Sequence, residues 1–261
     1  MSEPVLYNQL VNEMKNCGIV RGDNLSVHVS LSKIGWIPGG PETFIRALLD
    51  VVGEEGTIVM PAQTWKNLDP STGVHWEQPE SWWQIIRDNW PAFDPEITPV
   101  IGMGVVAEMF RTWPGTIRSN HPARSFCAYG PKAKYIVENH TLENIFGLDS
   151  PLEKLSKING KVLLVGVGFN KNTSLHVAEA KASYKSKHNI KESSAIFING
   201  KREWVTYSTL NVDDQDFLEM ESDYLSDYPQ KETFIGNAKT MLLPQLELID
   251  WAVKWIEKNR N

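Results

Sequence analysis

The sequence predicts an α/β fold in one domain: a mixed β-sheet flanked by helices on both sides, with a β-hairpin late in the chain. Three observations predict it. Strand and helix patterns alternate through the first two thirds of the 261 residues. The apolar run 162–168 reads as a buried strand feeding a helix. Asn199-Gly200 joins two apolar stretches in the manner of a type I′ turn.

The elements follow in order. Residues 5–17 place Leu6, Leu10, Val11 and Met14 on one helical face. Residues 25–31 alternate strictly, with Leu25, Val27, Val29 and Leu31 inward and Ser26, His28 and Ser30 outward, the pattern of a half-buried strand. A loop over 32–40 leads to Pro41, which suits the first turn of a helix reaching Val52. Residues 53–56 turn into a short strand, 57–60, closed by Pro61. Residues 62–100 are rich in Pro, Trp, Asn, Asp and Gly, and only Trp82 to Asn89 looks helical. A long aperiodic segment of this kind often forms a lid or cleft wall, and this one holds Trp65, Trp76, Trp82, Trp83 and Trp90. A helix over 105–111, a loop over 114–130 and a helix around 132–138 come next. Ser150 and Glu153 have capping-box spacing, with Pro151 at the first helical position. After the 162–168 strand, Asn172 or Thr173 is placed to cap the following helix. The hairpin covers 194–198 and 202–207, an acidic stretch covers 213–223, and Gln245 to Lys258 forms an amphipathic helix.

Composition narrows the function. A net charge of −6 without a basic cluster argues against a general nucleic-acid binder, and suits a cationic ligand as well as a solvated acidic surface. Cys17 and Cys127 form no CxxC and no zinc pattern, and two thiols cannot staple a chain of this size, which points to a reduced, cytoplasmic protein. The first residues lack a basic region and an apolar core of the signal-peptide kind. No apolar run approaches the ~20 residues of a membrane helix, so no membrane partner is expected.

Four segments could carry chemistry. In the first, His176 sits one turn into a helix after a buried strand, where open α/β sheets place their sites. Glu179, three residues on, shares its helical face. A histidine with a carboxylate in reach can take a proton from a weak nucleophile; equally, His176 could be a satisfied core residue and Glu179 a surface one. A metal needs three or four ligands, and no spacing here demands such a set. The second segment is 118–126, where His121-Pro122 forces an extended or turn conformation. Arg118, Arg124, Ser119 and Ser125 around it suit phosphate oxygens or a solvated turn. In the third, residues 25–46, Ser30 and Ser32 end a strand and Gly39-Gly40 permit close backbone approach before a helix N-terminus. It is neither a P-loop nor GxGxxG. In the fourth, residues 211–217, Asp213, Asp214 and Asp216 could hold a polycation or simply favour a helix start. Cys127 lies in a short apolar stretch and reads as core.

Together these segments resemble the aminoglycoside N3-acetyltransferase family, most of all its Bacillus-type branch. The matching pieces are 29–35 with Gly39-Gly40, 98–104, 118–122 with Ser125-Phe126, 150–155, 172–179 and 234–238. Their order and spacing run over nearly the whole chain. The resemblance implies one domain over 1–261 that is not of the GNAT fold, binds acetyl-CoA and acetylates an amine. It implies His176 as the catalytic histidine of a Thr-Ser-Leu-His motif, with Glu179 or an aspartate fixing its tautomer. Coenzyme contacts would come from Ser30, Leu31, Ser32, Lys33, Gly35, Gly39, Gly40 and Met103, and from Ser119, His121, Pro122 and Ser125. Asp213, Asp214 and Glu179 would face a cationic sugar.

The chemistry is consistent with this reading. A protonated amine cannot attack a thioester, and histidine exchanges protons near neutral pH. Thr173 and Ser174 are candidate donors for the oxyanion. No acyl-enzyme and no metal is required. Two other readings stay open: an acyltransferase for a different amine, and a CoA-binding protein with little turnover. A homodimer is compatible with either.

Overall fold

Short aliphatic strands, each bounded by Gly, Asn or Pro, assemble the centre of the molecule. The computed structural model describes residues 3–72 and 77–261. In chain order the elements are α1 (Tyr7–Asn16), β1 (Asn24–Val29), α2 (Leu31–Ile34), α3 (Pro41–Val52), β2 (Thr57–Pro61), α4 (Trp83–Asn89) and α5 (Val105–Arg111). Then come β3 (Ile117–Arg118), β4 (Phe126–Tyr129), α6 (Ala133–Val137), α7 (Pro151–Lys157), β5 (Lys161–Val165) and α8 (Leu175–Lys181). The chain continues through β6 (Asn189–Ile198), β7 (Lys201–Leu210), α9 (Phe217–Asp227), β8 (Thr233–Ile235), β9 (Ala238–Pro244) and α10 (Gln245–Asn259).

A 7-stranded sheet runs in the order β3-β4-β2-β1-β5-β9-β8. β1 lies at its centre and is parallel to both β2 and β5, while β4, β3, β9 and β8 add antiparallel edges. Side chains alternate between two cores. Leu25, Val27, Leu163 and Val165 pack with Leu10 of α1, Phe44 of α3 and Phe110 of α5. Val162 and Leu164 pack with Leu152 of α7, Val177 of α8, Met220 of α9 and Ile249 of α10. The predicted mixed sheet with helices on both faces is therefore present.

Several expectations are corrected. β1 is not half-buried: Ser26 is fully covered and His28 is 6% exposed, because parallel central strands carry helices on both faces. The span 114–130 is not a loop, since it holds the edge strand β3 and its neighbour β4, too short to show periodicity. Residues 233–244 add another strand pair that the sequence reading passed over. The capping box at Ser150 does not form; Glu153 Oε2 instead accepts from the N–H of Asp149 at 3.0 Å. Neither Asn172 nor Thr173 caps α8: Ser174 is its N-cap, and Asn172 Oδ1 accepts the Ser174 N–H at 3.1 Å.

The late hairpin is present and longer than expected, with β6 and β7 paired from Asn189–Leu210 to Ile198–Lys201. Asn199 (φ 51°) and Gly200 (φ 76°) both adopt the positive φ that a type I′ turn requires. The aperiodic segment after β2 is bound to this hairpin. Asp69 N–H donates to Ser193 O and Phe93 N–H to Ala195 O, each at 2.9 Å, and Arg202 Nε donates to Trp90 O at 2.7 Å. Trp76 lies outside the described residues. Among those described, no helix is long and apolar enough to cross a membrane.

Candidate active site

α3, which follows β1, packs on one face of the sheet, and α8, which follows β5, packs on the other. The chain thus departs in opposite directions from two adjacent parallel strands, and a crevice is left beyond their C-terminal ends. That crevice is a cleft of about 860 Å³. β1 and the start of α2 supply His28 to Ser32, β2 ends on it with Met60 and Pro61, Met103 and its flanking glycines form one wall, and residues 170–173 with His176 form another.

His176 enters from the first turn of α8. Its Nδ1–H donates to Oε2 of Glu179, one helical turn on. Its ring is stacked on Phe146 with centroids 4.9 Å apart and lies 5.1 Å from Phe217. Nε2 has no partner among the described residues, which leaves it as the nitrogen open to a ligand. Glu179 is fully buried. Its Oε1 accepts the Asp213 N–H at 3.0 Å and Arg260 Nη1 at 2.5 Å. A buried carboxylate is costly unless paired and bonded, and this one is both. Arg260 also grips Asp216 through Nε at 2.6 Å and donates from Nη2 to the Asp213 carbonyl at 2.8 Å. Burial opposes the charge on this guanidinium, but its bonds to Asp216 and Glu179 prevail and raise its pKa.

The imidazole and carboxylate predicted together do meet, and the reading of Glu179 as a surface residue falls. Its burial also removes it from contact with an acceptor. Of the acidic segment, Asp214 lines the cleft. The Asp213 carboxylate is turned to its own backbone, accepting the Gln215 N–H at 3.0 Å. Of the β1 loop, Ser30, Leu31 and Ser32 line the cleft, as does Met103. Lys33 and Gly39 are exposed further along. Gly35 serves packing, for a Cβ there would stand 3.0 Å from Asn237 Nδ2. A Cβ at Gly40 (φ 56°) would meet nothing within 4 Å.

The segment read as a solvated or phosphate-binding loop is largely buried, with Asn120 exposed, and does not line the cleft. Ser119, His121, Pro122 and Ser125 are all buried. Ser119 Oγ accepts the Phe126 N–H at 2.9 Å and lies 2.9 Å from His140 Nδ1. His121 Nδ1 accepts the Arg124 N–H at 3.0 Å, and Ser125 Oγ donates to the Ala62 carbonyl at 2.8 Å. Arg124 forms a buried pair with Glu192. Arg124 ties this turn to the hairpin, while Ser119 and Ser125 bond within the turn, to His140 and to the residue after β2.

Ser174 is buried and its Oγ accepts from Gln245 Nε2 at 3.0 Å, so of the two candidate oxyanion donors Thr173 alone lines the cleft. Burial, against weaker help from Arg118 and Arg111, pushes the Cys127 thiol up to about 12, in keeping with a core residue. No group of three or more His, Cys, Asp or Glu able to hold a metal occurs among the described residues. Sequence reasoning missed Arg260, Phe146 and Phe217 around the dyad, and His28 in the cleft. The strand alternation that set His28 apart from the Leu25–Val27 face was the available signal.

An imidazole–carboxylate dyad opening into the switch-point cleft of an α/β fold is an arrangement able to move a proton. The comparisons specify the class. A sequence profile for aminoglycoside 3-N-acetyltransferase matches residues 27–257. The SPbeta prophage-derived aminoglycoside N(3′)-acetyltransferase-like protein YokD of Bacillus subtilis is 38% identical over 98% of this chain and 94% of its own. The crystal structure of YokD superposes with a TM-score of 0.91, covering 97% of this chain and 99% of that one. Aminoglycoside N(3)-acetyltransferase IX of Micromonospora chalcea is 33% identical over 97% of this chain and 94% of its own. A solved AAC-IIIb binary complex with CoASH is 28% identical, with a TM-score of 0.88 over 99% of this chain and 98% of that one. The chain belongs to the aminoglycoside 3-N-acetyltransferase family. It is an acyltransferase by that membership.

Proposed function

We propose that this protein transfers the acetyl group of acetyl-CoA to an amine of an aminoglycoside, at the 3-N position by family membership, by direct attack with His176 as general base. The observation that carries the reading is the His176–Glu179 pair, with Glu179 fixed by Arg260 and the Asp213 N–H behind the cleft wall that His176 lines. The amine nitrogen attacks the thioester carbon as its proton passes to His176 Nε2. Glu179 holds the Nδ1–H tautomer and stabilises the imidazolium that forms. The carbon–sulfur bond then breaks, and the leaving CoA thiolate takes the proton from His176. No acyl-enzyme is involved, which agrees with a buried Cys127 held as the thiol.

Ser30, Leu31, Ser32 and Met103 are the residues assigned to the pantetheine arm, with Lys33, Gly39 and Gly40 toward its outer end. Asp214 is assigned to the cationic acceptor, supported by its place on the cleft rim. Residues 1–261 act as one aminoglycoside 3-N-acetyltransferase-like domain. A cytoplasmic setting is supported by the free Cys17 and Cys127. Assembly as a homodimer is testable by light scattering.

The test is thiol release from acetyl-CoA across a panel of aminoglycosides and other amines. His176→Ala is expected to lower turnover by at least ~100-fold while CoA still stabilises the protein in a thermal shift. Wild-type-like turnover in that variant rejects the assignment. Release only with other amines indicates a different acceptor, and CoA stabilisation without any release indicates a binding protein.

A further inference from the structure

β1 carries one titratable side chain, His28. A buried strand position that needs only bulk is satisfied by an aliphatic residue, since an imidazole there incurs the cost of desolvating its polar atoms. His28 nevertheless stands on β1 and lines the same cleft as His176, with 6% of its surface exposed. Its Nε2 lies 3.4 Å from Ser26 Oγ, on the fully buried hydroxyl two residues back. A serine hydroxyl donating to Nε2 leaves the ring proton on Nδ1. Nδ1 has no partner among the described residues and is not among the sealed, unpaired polar atoms. It is the nitrogen that reaches the cleft.

Residues Ser30 to Ser32 directly follow His28 along the cleft wall, and His176 stands on another wall. A thioester whose pantetheine arm lies along the first and whose carbon faces the base has its carbonyl beside His28. We propose that His28 donates a hydrogen bond from Nδ1 to the thioester carbonyl oxygen and stabilises the oxyanion that forms there. The proposal rests on the acetyl-transfer reading above.

In the step concerned, the amine lone pair forms the new carbon–nitrogen bond and the carbonyl π pair moves onto oxygen. His28 keeps its proton and only donates to that oxygen. The amine proton goes to His176. When the oxyanion re-forms the carbonyl, the carbon–sulfur bond breaks and the thiolate receives that proton. Roles divide because the environments differ. His176 has Glu179 to support a positive charge. His28 has a serine hydroxyl, and burial followed by the charge of His176 holds its pKa at about 4. A neutral imidazole that cannot compete for the amine proton is suited to be the electrophilic partner.

The test measures kcat and KM by thiol release, with CoA-induced thermal stabilisation, for His28→Leu and His28→Asn. The Asn amide nitrogen can stand close to where Nδ1 was, whereas Leu only fills the volume. Leu is expected to lower kcat about 100- to 1,000-fold, the loss typical of an oxyanion donor, with KM for acetyl-CoA within about threefold and CoA stabilisation retained. Asn is expected to recover at least about tenfold of that loss. If the Leu variant does not fold, His28→Gln replaces it, because its amide reaches the Nε2 position, and Asn must then exceed Gln in kcat. Equal kcat in the Leu variant and the wild type, or equal loss in Asn and in Leu or Gln, overturns the proposal alone. A wild-type protein that releases no thiol with any amine overturns the acetyl-transfer reading and this one with it.

Discussion

Arg260 donates from Nη1 to Oε1 of Glu179 at 2.5 Å, across 81 positions of sequence, while His176 is bonded to the other oxygen of the same carboxylate. The dyad on α8 is therefore completed by a residue just past α10. Helices α8 and α10 pack through the same core, so the carboxylate is both neutralised and fixed in place by the docking of the last helix.

Arg260→Met tests this relation. The substitution leaves Glu179 buried without its counter-charge, a change that costs about 3 kcal/mol when an ion pair of this kind is broken. It also frees the carboxylate to shift. Thermal denaturation is expected to show lower stability, and kcat to fall about 10- to 100-fold from loss of orientation, with KM for acetyl-CoA little changed. Arg260→Lys keeps the charge but not the fork that holds Glu179 and Asp216 together, and is expected to fall between the two. An Arg260→Met enzyme with full kcat would show that Glu179 needs no support from α10.

Glu179→Gln addresses the other half of the pair. The amide keeps the size of the side chain and can still accept the Asp213 N–H. It carries no charge to support an imidazolium. Turnover is expected to drop about 1,000-fold at neutral pH with CoA binding intact. Retained kcat would reduce Glu179 to a structural residue.

The sequence placed the dyad because both members lie on one helix, three residues apart, where helical geometry makes neighbours of them. The same locality explains what was legible in the fold. The hairpin was marked by Asn199-Gly200, α3 by Pro41, and β5 by its apolar run, all local signals. Arg260, Phe146 and Phe217 come to the site from distant elements, and nothing in their own neighbourhoods marks them. β3 and β8 are edge strands of two and three residues, shorter than any period could reveal. His28 was read as outward because alternation reports which residues share a face, not whether helices cover that face. Residues 118–126 read as a phosphate-binding loop or a solvated turn, and the burial of Ser119, His121 and Ser125 was not legible, because small hydroxyls and arginines serve buried polar networks as well as phosphates.

Ser119→Ala decides between those two uses. The hydroxyl accepts the Phe126 N–H and bonds His140, and both are buried. Removing it leaves a buried N–H short of an acceptor, at a cost of about 1–3 kcal/mol. The expected result is a lower melting temperature with unchanged affinity for CoA by calorimetry. Weakened CoA binding at unchanged stability would return the residue to the coenzyme site.

The buried histidines make stability depend on pH in one direction. Burial, then the charge of His176, lowers His28 to about 4. Burial lowers His140 to about 3 against a bond to the Ile145 carbonyl, and His121 is held well below the ordinary range by burial, then by His140 and Arg124. In the unfolded chain these side chains titrate near the ordinary value of about 6.5. Above that pH neither state binds the protons and the full stability is present. As pH falls through about 6.5 the unfolded state takes up protons that the folded state refuses, so stability declines by up to about 1.4 kcal/mol per pH unit for each imidazole. For His28 the decline ends near pH 4, and for His140 near 3. Melting temperatures measured between pH 7.5 and 4.5 are expected to fall steadily, with the slope reduced in His28→Gln, whose amide reaches the Nε2 position beside Ser26 without the titration. A flat profile over that range would mean that these imidazoles take up protons in the folded state and are not held neutral by burial.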